Sequence, residues 1–537
     1  MAASSAGWRK VLAGLWFALC AAVAAAAHLA AALGGYFSMG PLVRPLDFDY
    51  PLRMLEVIYA ARGLTPYRDF GFVYPPGQVW LYGKVLGLQQ PGSVTAAIAV
   101  ASLLLWAGCA WQLARLVPAA WRWFVAGAVL LVMGGAAPFL WGYVPLTEPI
   151  PLLALATLLV FAEVESGPNR ARLAALAAVA AVEALLRWDW ILLFVCLQAG
   201  LAGVLWLPGR WLDAAGPMRI GAARLVRAAG AAIAGMTIAM AAIAAVALAT
   251  GSWDSARFFI FYLPLHISGY RHLPLAAGAA LPWLLTASLM AVVAVTLAAA
   301  SACSTNRQGF VPFLKAGVLI APCLALVPYA MGRADSDHFL PLSMMGMVAL
   351  LAAFALRPGR GVRALLLVVL AINATPALTG LISLAPVAGI QPPDRELSRL
   401  HQATEACTRL FPEDARSLFV GQSSYDHFLI NTPGFYLMRP DLQPATPFLS
   451  DEPGAQNTCE LGSRVAADLA KAPRPTVLVL DTATQGWEAN LTRTMTNCGR
   501  VEAAIAAMHA QALGSCQVPY DYVPTAKKRN FEVLVAR

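Results

Sequence analysis

Between residues 10 and 386 the chain returns repeatedly to apolar stretches of about 20 residues, and most of its charges fall between them. A helix rises ~1.5 Å per residue, so about 20 apolar residues cross a hydrocarbon core ~30 Å thick with every backbone group bonded internally. No other feature narrows the fold so far. The stretches read as spans over 10–34, 94–114, 123–144, 149–163, 172–187, 190–207, 228–250, 275–300, 312–331, 339–356 and 364–386. The expected fold class is therefore an α-helical polytopic membrane protein of about eleven transmembrane helices over residues 1–386, followed by a soluble α/β domain over 387–537. Charged residues make up 12% of the chain, half the ~25% usual in soluble domains. The first run follows Arg9-Lys10 as a signal peptide would. It is longer than a signal core of roughly 7–15 residues, so it is expected to be retained.

The bases orient the spans. Placing the N-terminus inside gives the cytoplasmic side Arg9, Lys10, Arg115, Arg122, Arg170, Arg172, Arg210, Arg219, Arg224, Arg227, Arg307, Lys315, Arg357, Arg360 and Arg363, the bias expected of cytoplasmic loops. An odd number of spans then puts the tail outside. The cysteines lead to the same place. Cys20, Cys109, Cys196, Cys303 and Cys323 lie in or beside apolar stretches, while Cys407, Cys459, Cys498 and Cys516 lie in the polar tail. Four cysteines in one module suit two disulfides in an oxidising space, with connectivity left open. Their spacing shows no CxxC pair and does not suit zinc. A multi-pass protein of the cytoplasmic (inner) membrane of a cell with an envelope, with an extracytoplasmic C-terminal domain, is the expectation.

Residues 1–385 hold 24 Lys and Arg against 13 Asp and Glu, whereas residues 386–537 hold 14 against 16. The basic excess belongs to the loops between spans and forms no single patch, which excludes a nucleic-acid partner. Nine of those 13 acids fall on the outer side, among them Asp47, Asp49, Glu56, Asp69, Glu148, Asp189, Asp335 and Asp337. Charges at span ends are costly unless paired or functional, so the outer face is where chemistry is expected.

The first outer loop, 35–93, opens with Asp47-Phe-Asp49-Tyr. Asp49 reads as an N-cap, with Pro51 in the first turn and Gly63 at the stop. The helix between them alternates apolar residues with Arg53, Glu56 and Arg62, a pattern for lying on a membrane surface. After Tyr74-Pro-Pro-Gly77, the stretch 78–86 is too short to span; it is expected in the interface with Trp80 and Tyr82 as anchors. Asp47 has no capping role. Two carboxylates two residues apart either share a divalent cation or divide into a base and a neighbour that sets its pKa. Mg or Mn is the one cofactor left open, held by Asp47 and Asp49 if by any residues.

Span 1, Asp47-Phe-Asp49-Tyr, the surface helix, Thr65-Pro-Tyr-Arg-Asp-Phe70 and Tyr74-Pro-Pro-Gly77 together resemble the integral-membrane glycosyltransferases of the GT-C superfamily, of the dolichyl-phosphate-mannose and arabinosyltransferase kind. The resemblance covers roughly residues 10–90; later spans agree in order and spacing. It implies a multi-span fold, an acid of the first outer loop acting as catalytic base, and inverting transfer from a polyprenyl-phosphate sugar donor to a glycan, lipid or protein acceptor. The transferred unit would be a hexose or pentose. The chain carries Asp-Phe-Asp where the commonest relatives carry Asp-Glu, so the resemblance does not choose between Asp47 and Asp49.

Further outer-face residues join the candidate site. Glu148 opens span 4, where a carboxylate suits a helix start and also suits a sugar hydroxyl. Arg187-Trp-Asp-Trp190 reads as a tight outer hairpin with a local Arg187–Asp189 pair. Arg271-His272 and Arg333-Ala-Asp335-Ser-Asp-His338 place guanidinium groups where a lipid phosphate would arrive, because arginine donates in bidentate fashion. The resemblance implies donor-phosphate or substrate binding by Arg333 and His338; a metal held by Asp335, Asp337 and His338 is the less favoured alternative. Tyr74 completes the candidate substrate-binding set. Glu183 lies inside a span and wants a partner or water, and no role follows from sequence. In the tail, strands are expected at 417–421, 476–481 and 531–535 and helices at 459–472 and 501–513.

Two other functions compete. A lipid-linked sugar transporter or flippase would show internal repeats and charges at mid-depth; the sequence shows no repeat, and its acids cluster on one face. A polysaccharide polymerase or ligase would centre on a late outer loop and leave Asp47 and Asp49 idle.

Overall fold

The computed structural model describes residues 2–34, 49–117, 119, 122–140, 147–206, 215–268, 281–306, 311–332, 336–383, 407, 412–425, 434–451, 455–482, 497–522 and 527–537. Of the described residues, 75% are helical, and a small sheet lies in the tail. Among the described residues six helices are long and apolar enough to cross a membrane: Pro91–Arg115, Pro149–Ser166, Arg219–Ala249, Trp283–Ser304, Val311–Met331 and His338–Leu356. Val11–Ala27 and Arg122–Met133 are shorter apolar helical segments. By length and composition this is a membrane protein.

Before the tail, the described residues form helices α1 (Ala2–Gly34), α2 (Asp49–Ala61), α3 (Pro91–Arg115), α4 (Arg122–Leu140), α5 (Pro149–Ser166), α6 (Arg170–Trp206), α7 (Ala215–Ala249), α8 (Trp253–Arg257), α9 (Leu263–Ser268), α10 (Leu281–Asn306), α11 (Val311–Gly332), α12 (Ser336–Ala353) and α13 (Arg360–Ser383), with a π-helical segment at Val79–Val85. Two sets of contacts define the ends of the bundle. At one end, Arg172 bonds Glu163 at 3.2 Å and Ala162 O at 2.7 Å, Arg224 donates to Val164 O at 2.8 Å, and Lys315 pairs with Glu165. At the other end lie Glu148, Arg187 and Tyr329. α11 runs from Lys315 at the first end to Tyr329 at the second.

That polarity explains α6. Arg187 has φ −147° and ψ 73°, outside the helical region. Before it, the chain rises from Arg172. After it, Trp190 packs on Tyr329, whereas Leu201 packs against Gly317 and Gln198 donates to Val318 O at 3.4 Å. The chain therefore reverses at Arg187, and the hairpin expected at 187–190 is present. Close packing of its first arm needs small residues: a Cβ on Gly235 of α7 would meet the Ala177 carbonyl.

Two expectations about the first loop are corrected. α2 does not lie on a surface: Arg53 through Ala60 are all buried. The tail docks over it, with α14 (Gly434–Met438) packed on α2 and Gly71 N donating to Pro447 O at 2.8 Å. An amphipathic helix has the same pattern whether its polar face meets lipid headgroups or a second domain, and here part of that polar face is closed internally by an Arg53–Glu56 pair at 2.8 Å. Tyr82 is also buried and bonds Glu148 instead of anchoring in the interface. Leu81, Lys84 and Val85 of the π-helical segment are exposed, as is Leu86 after it.

The tail holds a mixed five-stranded sheet in the order β2-β1-β3-β5-β4, with β1 Ser417–Gln422, β2 Gln443–Pro444, β3 Thr476–Asp481, β4 Ala512–Tyr522 and β5 Lys527–Ala536. β1 and β3 pair in parallel from Ser417↔Thr476 to Gln422↔Asp481, and both are buried throughout, as a covered parallel pair should be. Helix α16 (Arg500–His509) packs on β5, and α15 (Cys459–Lys471) packs on α16. The helix expected over 501–513 ends at His509, because the chain turns into β4, a strand whose partner β5 supplies the ladder. Cys407 pairs with Cys516 and Cys459 with Cys498, while Cys20, Cys109, Cys196, Cys303 and Cys323 are free.

Candidate functional site

The Tyr74-Pro-Pro-Gly77 turn is pressed against α6. A Cβ on Gly77 would sit 2.6 Å from the Leu185 carbonyl oxygen, so only glycine permits this approach. Leu185 is two residues before Arg187, and the turn thereby delivers Tyr74 to the hairpin. Tyr74 stands between two guanidinium groups, with Arg53 and Arg187 each 5.4 Å from its ring centroid. Its carbonyl accepts a 2.6 Å hydrogen bond from the Tyr67 hydroxyl.

Arg187 is 5% exposed. Its Nε and Nη2 donate to the two oxygens of Asp189 at 3.0 and 2.7 Å. Its guanidinium carbon lies 4.3 Å from the Trp190 ring, 4.8 Å from Tyr329 and 5.4 Å from Tyr74. Tyr329 stacks in turn on His338, with centroids 4.8 Å apart. Three aromatic rings surround the cation within cation–π range. Nη1 is buried and makes no hydrogen bond among the described residues, and the same is true of Trp190 Nε1 and both oxygens of Glu183. Glu183 feels the charges of Arg187, Asp189 and Glu148, which places all four in one neighbourhood.

Glu148 directly precedes the span that begins at Pro149. It is buried and accepts from Gln78 Nε2 and from the Tyr82 hydroxyl. Burial pushes its carboxyl above the usual carboxylate range, against the lowering effect of the Tyr82 and Gln78 bonds and of Arg53. The same burial, together with the Glu148 charge, drives the Tyr82 phenol upward. Gln78 follows Gly77 directly, so one turn carries both Tyr74 toward Arg187 and Gln78 toward Glu148.

Five of the residues singled out from sequence are thus described, and they gather: Tyr74, Arg187, Asp189 and His338 form one continuous set of contacts through Tyr329, with Glu148 beside it. The candidate base Asp47 and the residues Arg271, His272, Arg333 and Asp335 lie outside the described residues. So does the Asp49 side chain, whose backbone forms the first residue of α2. Among the described residues no three His, Cys, Asp or Glu side chains gather as metal ligands. Sequence reading missed Arg53, Gln78, Tyr82 and Tyr329 as site residues. An Arg53–Glu56 spacing inside an otherwise apolar helix was a usable signal; nothing local marked Gln78 or Tyr329.

The arrangement suits a small oxyanion. A guanidinium with one edge held by Asp189 and another donor unmet, beside an indole N–H, offers the donor chemistry that an oxyanion accepts. No known family model matches the chain, and no curated protein is significantly similar to it.

Proposed function

We propose that this chain is an inverting glycosyltransferase of the GT-C kind, moving a sugar from a polyprenyl-phosphate donor to an extracytoplasmic glycan, lipid or protein acceptor. The observation that carries the proposal is the Arg187 cluster: a buried guanidinium with an unsatisfied Nη1, brought against the Tyr-Pro-Pro-Gly turn of the first outer loop. In the proposed reaction Asp47 or Asp49 takes the proton from an acceptor hydroxyl. The hydroxyl oxygen bonds to the anomeric carbon from the face opposite the phosphate. The carbon–oxygen bond to the lipid phosphate breaks, its electron pair goes to the phosphate oxygen, and Arg187 holds the growing charge. Arg271 and Arg333 are further phosphate partners in this proposal, with Tyr74, Glu148, Asp189, His272, Asp335 and His338 against sugar and headgroup. A divalent cation on Asp47 and Asp49 remains an open alternative for part of the phosphate-binding role.

The chain in this proposal crosses the inner membrane eleven times, both arms of the α6 hairpin counting as passes, with the tail outside. The reversal at Arg187 supports the count, and two disulfides in the tail support an oxidising compartment.

Single Asp47→Asn and Asp49→Asn variants test the reaction. Transfer from a polyprenyl-phosphate sugar is expected to collapse in at least one of them while insertion and melting temperature are kept. Lipid extracts of cells lacking the gene are expected to accumulate a polyprenyl-phosphate monosaccharide. Full transfer by both variants, or unchanged lipid-linked sugars, refutes the proposal. A flippase would survive both substitutions.

A further inference from the structure

A second site lies where the tail meets the membrane part. After α7 the chain forms a helical arm, Trp253–Arg257, Phe258–Tyr262 and Leu263–Ser268, with a π-helical middle. Helix α15 of the tail lies across it. Tyr262 donates to Glu460 Oε1 at 3.1 Å, and the Arg464 guanidinium sits 4.2 Å from the Phe258 ring centroid. Between arm and helix is a cleft of about 570 Å³, within the range of roughly 300–1,000 Å³ usual for small-molecule sites.

The chemistry of its walls is specific. Asp254 and Glu460 are paired in number with Arg257 and Arg464, so the four charges cancel. Along the arm Phe258, Tyr262 and His266 stack in a ladder, with centroids 5.4 and 5.6 Å apart and planes within 28° and 17°. Phe261 lines the cleft and packs edge-on against Trp188, 5.0 Å away, next to Arg187. The wall contributed by α15 is fixed at its start, since Cys459 is tied to Cys498 and Thr458 Oγ1 caps Leu461 N at 3.4 Å.

We propose that this cleft binds a short neutral saccharide, the sugar portion of the acceptor, and holds it beside the Arg187 site. Aromatic rings present flat apolar surfaces to the C–H faces of a sugar. Carboxylates accept from its hydroxyls, and guanidinium groups donate to its oxygens. A phosphate-bearing ligand fits less well, because the two acids offset the two arginines and leave the cleft no net positive charge to attract it. The assignment to an acceptor rests on the glycosyltransferase proposal; saccharide binding itself does not. The two therefore fail separately: binding is read without donor, whereas transfer is read from donor turnover.

The test uses the full chain in detergent, with neutral disaccharides of glucose, galactose, mannose and N-acetylglucosamine as probes, read by saturation-transfer NMR and calorimetry. Dihexanoylphosphatidylcholine serves as the lipid probe. At least one disaccharide is expected to bind, and Arg464→Ala and Glu460→Ala are expected to weaken it about tenfold or more. Glu460→Gln keeps an acceptor for Tyr262 and controls for folding, as does retention of the Cys459–Cys498 bond; it is expected to weaken binding less than the alanine change. Binding by no disaccharide overturns the proposal. So does binding that the cleft variants leave unchanged, or binding of the lipid probe alone with sensitivity to those variants.

Discussion

Replacing Arg187 by Met separates a structural arginine from one that receives substrate. The structure allows both sides of the change to be weighed. Lost are three cation–ring contacts, at about 0.5–2 kcal/mol each, and two bonds to Asp189. Those bonds count for little, because the Asp189 side chain is 39% exposed and recovers water when its partner leaves. Against this, Nη1 is buried and without a hydrogen bond among the described residues, and leaving such a donor unmet costs about 1–3 kcal/mol. A methionine thioether among Tyr74, Trp190 and Tyr329 gains about 0.3–1.5 kcal/mol per ring contact. The large penalty for removing one partner of a fully buried ion pair does not apply, because Asp189 is exposed enough to regain water. The sum predicts a change in stability within about 1 kcal/mol, or a melting shift within ~4 °C. Heating with a thiol-reactive dye reads this in a Cys196→Ser background, since Cys196 is free and exposed whereas Cys109 and Cys323 are free and buried. Transfer is expected to fall by about 10²–10³, the usual loss on removing a donor to developing negative charge. A variant that fails to fold, or one that folds and transfers normally, would refute the reasoning; the first outcome makes Arg187 a packing residue and the second makes it idle.

Four other outcomes follow. Gly77→Ala pushes a Cβ to 2.6 Å from the Leu185 carbonyl and is expected to lose about 1–3 kcal/mol in the same melt, whereas Gly230→Ala, with nothing within 4 Å, is expected to be neutral or slightly stabilising. Burial raises the Asp69 carboxyl, but bonds from Arg68 and the Thr65 amide and the charges of Arg68 and Lys84 prevail and hold it below its ordinary 3.8. Its contribution is therefore complete above that value and disappears as pH falls through the lower folded value, so the stability advantage of wild type over Asp69→Asn should shrink on acidification below about pH 4; an advantage that grows there contradicts the assignment. Removing Cys407–Cys516, separated by 109 positions, should destabilise the tail by about 0.9 kcal/mol more than removing Cys459–Cys498, separated by 39, as judged by urea melts of the Cys→Ser pairs; the reverse order would contradict it. Tyr82→Phe and Glu148→Gln are expected to be non-additive by at least ~0.5 kcal/mol in a double-mutant cycle, because Tyr82 donates directly to the buried carboxyl; strict additivity would show the bond to be without consequence.

The membrane character of this protein was legible in its sequence, because apolar runs of about 20 residues admit few other structures. The α6 hairpin was legible too: Arg187-Trp-Asp-Trp190 interrupts an apolar pattern with residues that end helices at an interface, and the chain does reverse at Arg187. Strands β1 and β3 were visible as short, uninterrupted apolar runs, and the four tail cysteines as a disulfide set without its connectivity. β4 was less legible, since Pro519 interrupts the alternation of Cys516, Val518, Tyr520 and Tyr522 with Gln517 and Asp521, and it is the pairing with β5 that shows the strand. The fate of α2 and Tyr82 likewise depended on distant residues. An amphipathic pattern records that one face is polar and does not record what meets it; the tail and the Arg53–Glu56 pair decided that α2 is buried, and Glu148, 66 positions away from Tyr82, decided where its hydroxyl goes. Local pattern reports each residue's preference for water or lipid. Which charges share a cavity is set by long-range packing, and only the tertiary structure placed Tyr74, Arg187, Tyr329 and His338 together.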